Sequence, residues 1–78
     1  MVKNLISTIM NEFGLEYGER FRLELLVGGR TKVPGVFWFT VGRLTQKIGD
    51  RYLESDAWLV EMIHGRCEVI KEGADGTN

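Results

Sequence analysis

The fold is decided by one stretch, Val36-Phe37-Trp38-Phe39-Thr40-Val41, which is the densest run of aromatic and β-branched residues in the chain. Residues of these types favour a β-strand, in which successive side chains point to opposite faces of the sheet. Phe37, Phe39 and Val41 are therefore predicted to share one face. Trp38 is predicted to lie on the other face, and the rest of the chain has to cover the first.

Length and composition indicate one α+β domain over residues 1–72, with residues 73–78 as a flexible C-terminal tail. A chain of 78 residues is too short to divide into two cores. Hydrophobic residues make up 44% and charged residues 27%, values close to globular averages, which argues against disordered, fibrous and membrane classes. Polar residues interrupt the apolar positions near the N-terminus, so neither a signal peptide nor a membrane span is expected.

The first part of the chain predicts a helix followed by a strand. Apolar residues recur at helical spacing from about Val2 to Phe13, and Gly14 follows as a helix stop. Residues 21–27 alternate as a half-buried strand. Residues 30–35 are predicted to form a connection outside the sheet, because Pro34 lacks the N–H that a central strand needs.

The second part predicts a hairpin, a helix and a last strand. Residues 43–48 and 51–53 are separated by a Gly-Asp turn, with Ser55 as the N-cap of a helix that Gly65 ends. The predicted architecture is an N-terminal helix, an antiparallel sheet of about four strands, and a second helix near the C-terminus followed by a last strand. Four side chains are expected to be largely buried: Leu23, Phe37, Phe39 and Trp58.

Charge is distributed unevenly along the chain. Residues 18–51 contain seven basic and three acidic residues, a net charge of +4, whereas residues 52–78 contain two basic and six acidic residues, a net charge of −4. The net charge of the whole chain is −1, which argues against a general nucleic-acid coat. The acidic excess after Tyr52 would suit an inhibitor of another protein, because small acidic proteins can occupy a nucleic-acid channel by imitating phosphate charge.

One group of residues is a candidate binding site, namely the basic and aromatic side chains expected on the outer face of the sheet. These are Trp38, Arg22, Arg43 and Lys47, with Arg30 and Lys32 in the neighbouring connection. Trp and Arg are enriched at the centres of protein interfaces, and the same grouping can stack a nucleic-acid base beside a phosphate. The alternative is that a helix covers Trp38 and the sheet lies between two layers.

Catalytic and metal-binding roles are not expected. His64 and Cys67 are the one pair suited to nucleophilic chemistry, but no third group that would orient them is evident. His64 is interpreted as a residue of the last helical turn and Cys67 as a small buried hydrophobic residue. A single cysteine cannot form an internal disulfide, and the paired spacing of a zinc site is missing. No cofactor is expected, and the setting is predicted to be reducing and intracellular.

Three segments, residues 13–21, residues 39–44 and residues 58–71, resemble a group of small uncharacterised proteins encoded by phages and prophages of Gram-positive bacteria. They carry a Gly-x-Glu turn leading into a strand, the Phe39-Thr40 pair with Leu44, and an amphipathic helix closed by Gly65 before a strand. The resemblance implies a phage setting, with the cytoplasm of the bacterial host as the location. It supplies no catalytic residues.

The expected function is that of a non-catalytic phage or prophage accessory protein that binds another protein. The specific hypothesis is an inhibitor of a host or defence factor, such as a CRISPR nuclease. The alternative is a weak single-stranded nucleic-acid-binding module that uses the basic and aromatic sheet face. The protein is expected to be a monomer or a small homo-oligomer without membrane contact.

Overall fold

The computed structural model describes the backbone of residues 2–71 and the side chains of residues 5–71. The elements follow in the order α1 (Val2–Phe13), β1 (Phe21–Leu25), β2 (Thr31–Lys32), β3 (Val36–Thr40), β4 (Arg43–Ile48), β5 (Arg51–Glu54), α2 (Ala57–Ile63) and β6 (Cys67–Lys71). All strand pairs are antiparallel within one sheet, so the predicted α+β class and order of elements are confirmed. The predicted tail, residues 73–78, lies outside the described residues.

Both helices end at a glycine in the left-handed conformation. After α1, Gly14 has a φ angle of 66°, and the Leu15 N–H donates to the Met10 carbonyl oxygen at 2.8 Å. A donor that reaches back five residues past such a glycine forms a Schellman motif. Gly65, with a φ angle of 73°, ends α2 with the same pattern, so both predicted stops are confirmed. Neither of these helices, the two in residues 2–71, is long and apolar enough to cross a membrane.

Strand β1 organises the sheet because it pairs along both of its edges. One edge pairs with β6 over the full length of β1, from Phe21 opposite Lys71 to Leu25 opposite Cys67. The other edge is shared, with β3 opposite the Phe21 end and β2 opposite the Leu25 end. The spatial order is therefore β6, β1, β3, β4 and β5, and β2 lies end to end with β3 along the same edge of β1.

Strands β2 and β3 are parts of one extended segment that is interrupted at Val33-Pro34-Gly35. Pro34 cannot donate to the ladder, which explains the break. Gly35 has a φ angle of 86°, and a Cβ atom there would overlap the Lys47 carbonyl oxygen, so the close approach of β4 requires glycine. Thr31 and Lys32 nevertheless pair with β1, which corrects the prediction that residues 30–35 lie outside the sheet.

The core lies on the inner face of the sheet. The Phe21 ring stacks against Phe37 and Phe39, with ring centroids 5.9 and 5.8 Å away. The helices add buried side chains to the same cluster, whose fully buried members are Phe21, Phe37, Phe39, Ile6, Ile9, Leu23, Leu44 and Leu59. Both described helices thus cover the inner face, and the face that carries Trp38 has no helix over it in residues 2–71.

Two of the predicted burials need correction. Val41 was expected to share the face of Phe37 and Phe39, but it is 70% exposed, because β3 ends at Thr40 and the chain turns there. Trp58 was expected to be largely buried, but it is half-buried at the margin of the core. Its ring meets Phe37 edge-on, with the ring centroids 6.4 Å apart.

The start of α2 also differs from the prediction. Asp56, not Ser55, is the N-cap, and its carboxylate accepts from the Leu44 N–H at 3.0 Å instead of capping the helix. The Ser55 hydroxyl donates to the buried Gln46 side chain at 2.6 Å. Gln46 in turn donates to the Pro34 carbonyl oxygen at 2.7 Å. Ser55 is therefore used to satisfy a polar side chain inside the core, where an unpaired amide would be costly.

Candidate functional site on the outer sheet face

The outer face of the sheet is the side opposite the core. By the strand registers it carries Arg20, Arg22, Glu24, Arg30, Lys32, Val36, Trp38, Thr40, Arg43, Thr45, Lys47, Tyr52, Glu54, Glu68 and Ile70. Six of these residues are basic and three are acidic, so the face has a net charge of +3 in a chain of net charge −1. The positive charge predicted for the middle of the chain is thus concentrated on one surface.

Four residues of this face form what we call the aromatic ladder, namely Arg20, Trp38, Tyr52 and Lys47. The guanidinium carbon of Arg20 lies 3.9 Å from the Trp38 ring centroid. Trp38 meets Tyr52 edge-on at a centroid distance of 6.1 Å, and the Lys47 ammonium lies 5.5 Å from the Tyr52 ring centroid. The two rings lie between the two cations, so the three contacts are two cation–π interactions and one edge-to-face interaction.

The strand register explains why these side chains meet. Trp38 on β3 is opposite Thr45 on β4, and Lys47 on β4 is opposite Tyr52 on β5. Trp38 and Tyr52 are therefore separated by β4, and these four side chains point to the same, outer face. The short Thr45 side chain lies between Trp38 and β5, so the indole ring extends across it to Tyr52. The ladder therefore follows from three antiparallel strands and one small residue.

Ion pairs neutralise part of the positive charge on the outer face. Arg30 contacts Glu24 at 2.6 Å and also pairs with Glu68, so it bridges β1 and β6. The hydrogen bonds that the Arg30 guanidinium donates to the carboxylates of Glu68 and Glu24 raise the pKa of Arg30 above its ordinary value. Arg43 pairs with Glu54 across β4 and β5. The Arg43–Glu54 pair is exposed on both sides, and exposed pairs contribute little stability, about 0–1 kcal/mol.

A small cavity, here called the basic cleft, opens on the same face where β6, β1 and β2 meet. It has a volume of about 260 Å³ and is lined by Arg22, Leu23, Glu24, Lys32, Val33 and Ile70. Leu23 and Val33 belong to the buried core, so the exposed apolar side chain of this lining is that of Ile70. The Arg22 guanidinium donates to the Gly35 carbonyl oxygen at 3.2 Å, which holds it beside the cleft.

The structure brings all six predicted site residues to the outer face and divides them among three environments. Trp38 and Lys47 belong to the aromatic ladder, Arg22 and Lys32 line the basic cleft, and the remaining two arginines are ion-paired. That these residues bind a partner stays a prediction.

Sequence reasoning missed Arg20 and Tyr52. Both could have been found from the sequence. Arg20 is two residues before Arg22, so alternation along the strand places both on one face, and Tyr52 is opposite Lys47 once β4 and β5 are paired.

His64 and Cys67 are not part of the ladder and lie at the end of α2 and the start of β6. Cys67 is buried, and desolvation raises the pKa of its thiol, with a further contribution from Glu61. A raised thiol pKa disfavours the thiolate, which is the nucleophilic form. His64 is exposed at the helix end. In residues 2–71, no three His, Cys, Asp or Glu side chains are grouped as metal ligands.

Comparisons of this chain with protein-family models, with curated proteins and with solved structures find no match. They therefore assign neither a family nor a function. The resemblance to small phage and prophage proteins rests on residues 13–21, 39–44 and 58–71 alone and stays a prediction.

Proposed function

We propose that this is a non-catalytic phage or prophage accessory protein that binds another protein through the outer face of its sheet. The observation that carries the proposal is the aromatic ladder. Trp, Tyr and Arg are the residues that dominate binding energy at protein interfaces, usually at the centre of the contact. Here they are grouped on a sheet face that no described helix covers.

The contacts within the ladder favour binding because they fix the side chains in advance. Immobilising a mobile side chain on binding costs about 0.5–1.5 kcal/mol. Arg20 and Lys47 are already held against Trp38 and Tyr52, so less ordering remains when a partner arrives. The net charge of +3 on the face suits an acidic partner surface, which would also speed association.

The same contacts favour a protein over a nucleic acid. Base stacking needs an open ring face, but one face of Trp38 is covered by the Arg20 guanidinium at 3.9 Å. The Lys47 ammonium likewise lies over the Tyr52 ring. A protein partner can use the exposed ring edges together with the two cations. Its carboxylates would pair with Arg20 and Lys47 without displacing them.

The proposed inhibition of a host or defence factor rests on this basic face and not on the acidic end of the chain. The acidic residues of the described part after Tyr52 are engaged within the molecule. Glu54 pairs with Arg43, Glu61 with Arg66 at 2.7 Å and Glu68 with Arg30, while Asp56 accepts from a backbone N–H. Internally paired carboxylates imitate phosphate poorly, so the partner we propose is acidic rather than basic.

The decisive experiment is a comparison of matched variants. Immobilised wild-type protein is used to capture partners from the lysate of a Gram-positive bacterium after nuclease treatment. We expect Trp38→Ala to lose the captured protein, whereas Val60→Ala retains it, because Val60 is 48% exposed on α2, away from the outer face. Equal capture by wild type and a folded Trp38→Ala variant would contradict the proposal.

A second candidate function, single-stranded nucleic-acid binding, is favoured by one observation, the 65% exposure of Tyr52 on a face of net charge +3. It predicts that binding of a fluorescent oligothymidylate weakens steeply with salt, because phosphate contacts release counterions. The protein-binding proposal predicts no appreciable oligonucleotide binding near physiological salt. Measuring anisotropy across a salt series separates the two.

A further inference from the structure

We infer that two copies of this chain associate through the free edge of β5, so that their two sheets join into one. The inference goes beyond the proposed function, because it concerns a second copy of the chain and not the protein partner. β5 (Arg51–Glu54) is the last strand on its side of the sheet, and within residues 2–71 only β4 pairs with it. An unpaired strand edge is a template for pairing with another chain.

The backbone groups that point to this free edge belong to Tyr52 and Glu54. The Ser55 N–H donates to the Leu44 carbonyl oxygen at 2.9 Å, in line with the register of β4 and β5. Hydrogen-bonded and non-hydrogen-bonded pairs alternate along an antiparallel ladder. Leu53, two residues before Ser55, therefore bonds to β4, whereas the N–H and C=O groups of Tyr52 and Glu54 point away from β4 and can bond to another strand.

The described part of the chain leaves this edge accessible on both sides. All four residues of β5 are exposed. They include Arg51 and Leu53, whose positions opposite Ile48 and Gln46 place them on the inner face, where the helices cover the other strands. A second strand can thus approach β5 without displacing either described helix.

One symmetric register pairs both outward residues without opposing like charges. In a two-fold dimer the strands are antiparallel and the inner faces lie on the same side. With Leu53 opposite Leu53 of the second copy, Tyr52 is opposite Glu54 twice, which allows four backbone hydrogen bonds. The two neighbouring symmetric registers set Glu54 opposite Asp50 or opposite Glu54, and like charges directly opposite one another are destabilising.

The same register places complementary charge beside the aromatic ladder. Lys47 is opposite Tyr52 within one copy, and Glu54 of the second copy would be opposite Tyr52 on its other side. Each Tyr52 ring would then lie between a cation and a carboxylate, an arrangement that favours this register. Glu54 can keep its ion pair with Arg43, which holds the carboxylate on the outer face.

On the inner face, the two Leu53 side chains would contact each other. Each is 37% exposed in the single chain, and residues in a non-hydrogen-bonded pair lie closest together. A contact over one short strand belongs to the weak class of interfaces, below about 1,200 Å² in total. We therefore expect a dissociation constant on the order of 0.1 mM.

The first test is sedimentation equilibrium of the full chain from about 10 μM to about 1 mM, where we expect a monomer–dimer equilibrium. Leu53→Lys should weaken association by at least about tenfold, because it sets two like charges opposite each other. The matched control is Val60→Lys on α2, which should leave association unchanged, because Val60 is exposed and distant in sequence from β5.

The second test fixes the register by cross-linking. Opposite residues of a non-hydrogen-bonded pair have their Cα atoms about 4.5 Å apart, within the range of a disulfide. Leu53→Cys should therefore form a disulfide-linked dimer in a glutathione redox buffer. Tyr52→Cys should form one at least about tenfold more slowly, because its two copies are diagonal to each other. The wild type should form none, since Cys67 is buried.

The other outcomes overturn the inference. A wild type that stays monomeric at about 1 mM would refute the dimer. A dimer that a folded Leu53→Lys variant leaves intact, or faster cross-linking at Tyr52 than at Leu53, would refute this interface. A monomer that still captures a partner through Trp38 would leave the proposed function standing. A dimer without Trp38-dependent capture would refute the proposed function alone.

Discussion

The two faces of this sheet are built from alternating residues of the same strands, yet different forces hold them. On the inner face, water is excluded from stacked Phe21, Phe37 and Phe39, and the buried side-chain amide of Gln46 is satisfied by hydrogen bonds. On the outer face, cation–π contacts and exposed ion pairs hold the side chains. Because such surface contacts are weak in water, stability should come from the inner face, and the outer face can be specialised for binding.

The sharpest test of this difference is Phe39→Ala on the inner face. Removing a fully buried phenylalanine should cost about 3–5 kcal/mol of unfolding free energy, through lost transfer energy and the cavity left behind. Thr40→Ala, the exposed neighbour, should change stability by at most about 0.5 kcal/mol. Urea denaturation of both variants measures the contrast, and similar midpoints would show that the faces do not differ as described.

Gly35→Ala should produce the next largest effect, because it forces β3 away from β4. Alanine at a φ of 86° is strained, and its Cβ would overlap the Lys47 carbonyl oxygen, so we expect a loss of about 2–4 kcal/mol. Gly42→Ala is the matched control, since Gly42 has a φ of 90° but open space around it. It should lose only the strain contribution, about 1–2 kcal/mol. Equal losses would show that the close strand approach is unimportant.

In contrast to the inner-face substitution, Trp38→Ala should have a large effect on partner binding and a small effect on the unfolding free energy. Loss of a central tryptophan should weaken partner binding by about 2 kcal/mol or more. The unfolding free energy should fall by only about 1 kcal/mol, because Trp38 is half-buried and contacts Arg20 and Tyr52 rather than the core. Calorimetry with the captured partner and urea denaturation give the two values. A variant that unfolds would mean that the outer face also carries stability.

Cys67→Ser should lower the unfolding free energy by about 1 kcal/mol and leave partner binding intact, as should His64→Ala.

The pH dependence of stability gives a second measurement of the role of Cys67. Burial raises the pKa of the Cys67 thiol above its ordinary value of 9.0 in the folded state, so the folded protein holds this proton more tightly. The resulting stability is present below the unfolded pKa and is lost as pH rises through the folded pKa. Wild type should therefore lose more stability above pH 9 than Cys67→Ser does.

The smallest effect is expected for Glu54→Gln, which breaks the exposed ion pair with Arg43. The unfolding free energy should fall by less than about 1 kcal/mol, and high salt should remove the difference. A double-mutant cycle with Arg43→Gln measures the coupling. A coupling of several kcal/mol would contradict the assignment of stability to the inner face.

Periodicity made the main elements predictable from sequence. The helical spacing in α1, the alternation in β1 and β3 and the glycine stops each reflect a local rule that tertiary contacts did not override. The predicted burial of Val41 was wrong because the chain turns at Val41-Gly42, so that β3 ends at Thr40. The N-cap prediction for Ser55 was wrong because its hydroxyl donates to the buried Gln46 side chain instead. The burial of Gln46 follows from the packing of β4, which the sequence does not specify.

The candidate site was predictable in its members but not in its organisation. The alternation of side chains along each predicted strand was enough to place Trp38, Arg43 and Lys47 on one face. Which cation lies over which ring, and which arginine is neutralised, depends on strand order and register. The Arg30 bridge needs Glu68, which is 38 residues away and arrives only through the pairing of β6 with β1.

That pairing of β6 with β1 also sets an order of events in folding. It joins positions 42 to 50 residues apart, whereas β3, β4 and β5 are linked by tight turns. Closing a long loop costs chain entropy before its contacts form, so the β3–β4–β5 meander is expected to assemble first and β6 to dock last. Trp38, Tyr52 and Lys47 belong to the meander, whereas the basic cleft needs Ile70 of β6. Native-state hydrogen exchange should therefore show β6 opening at lower free energy than β4, with the cleft lost while most of the ladder persists.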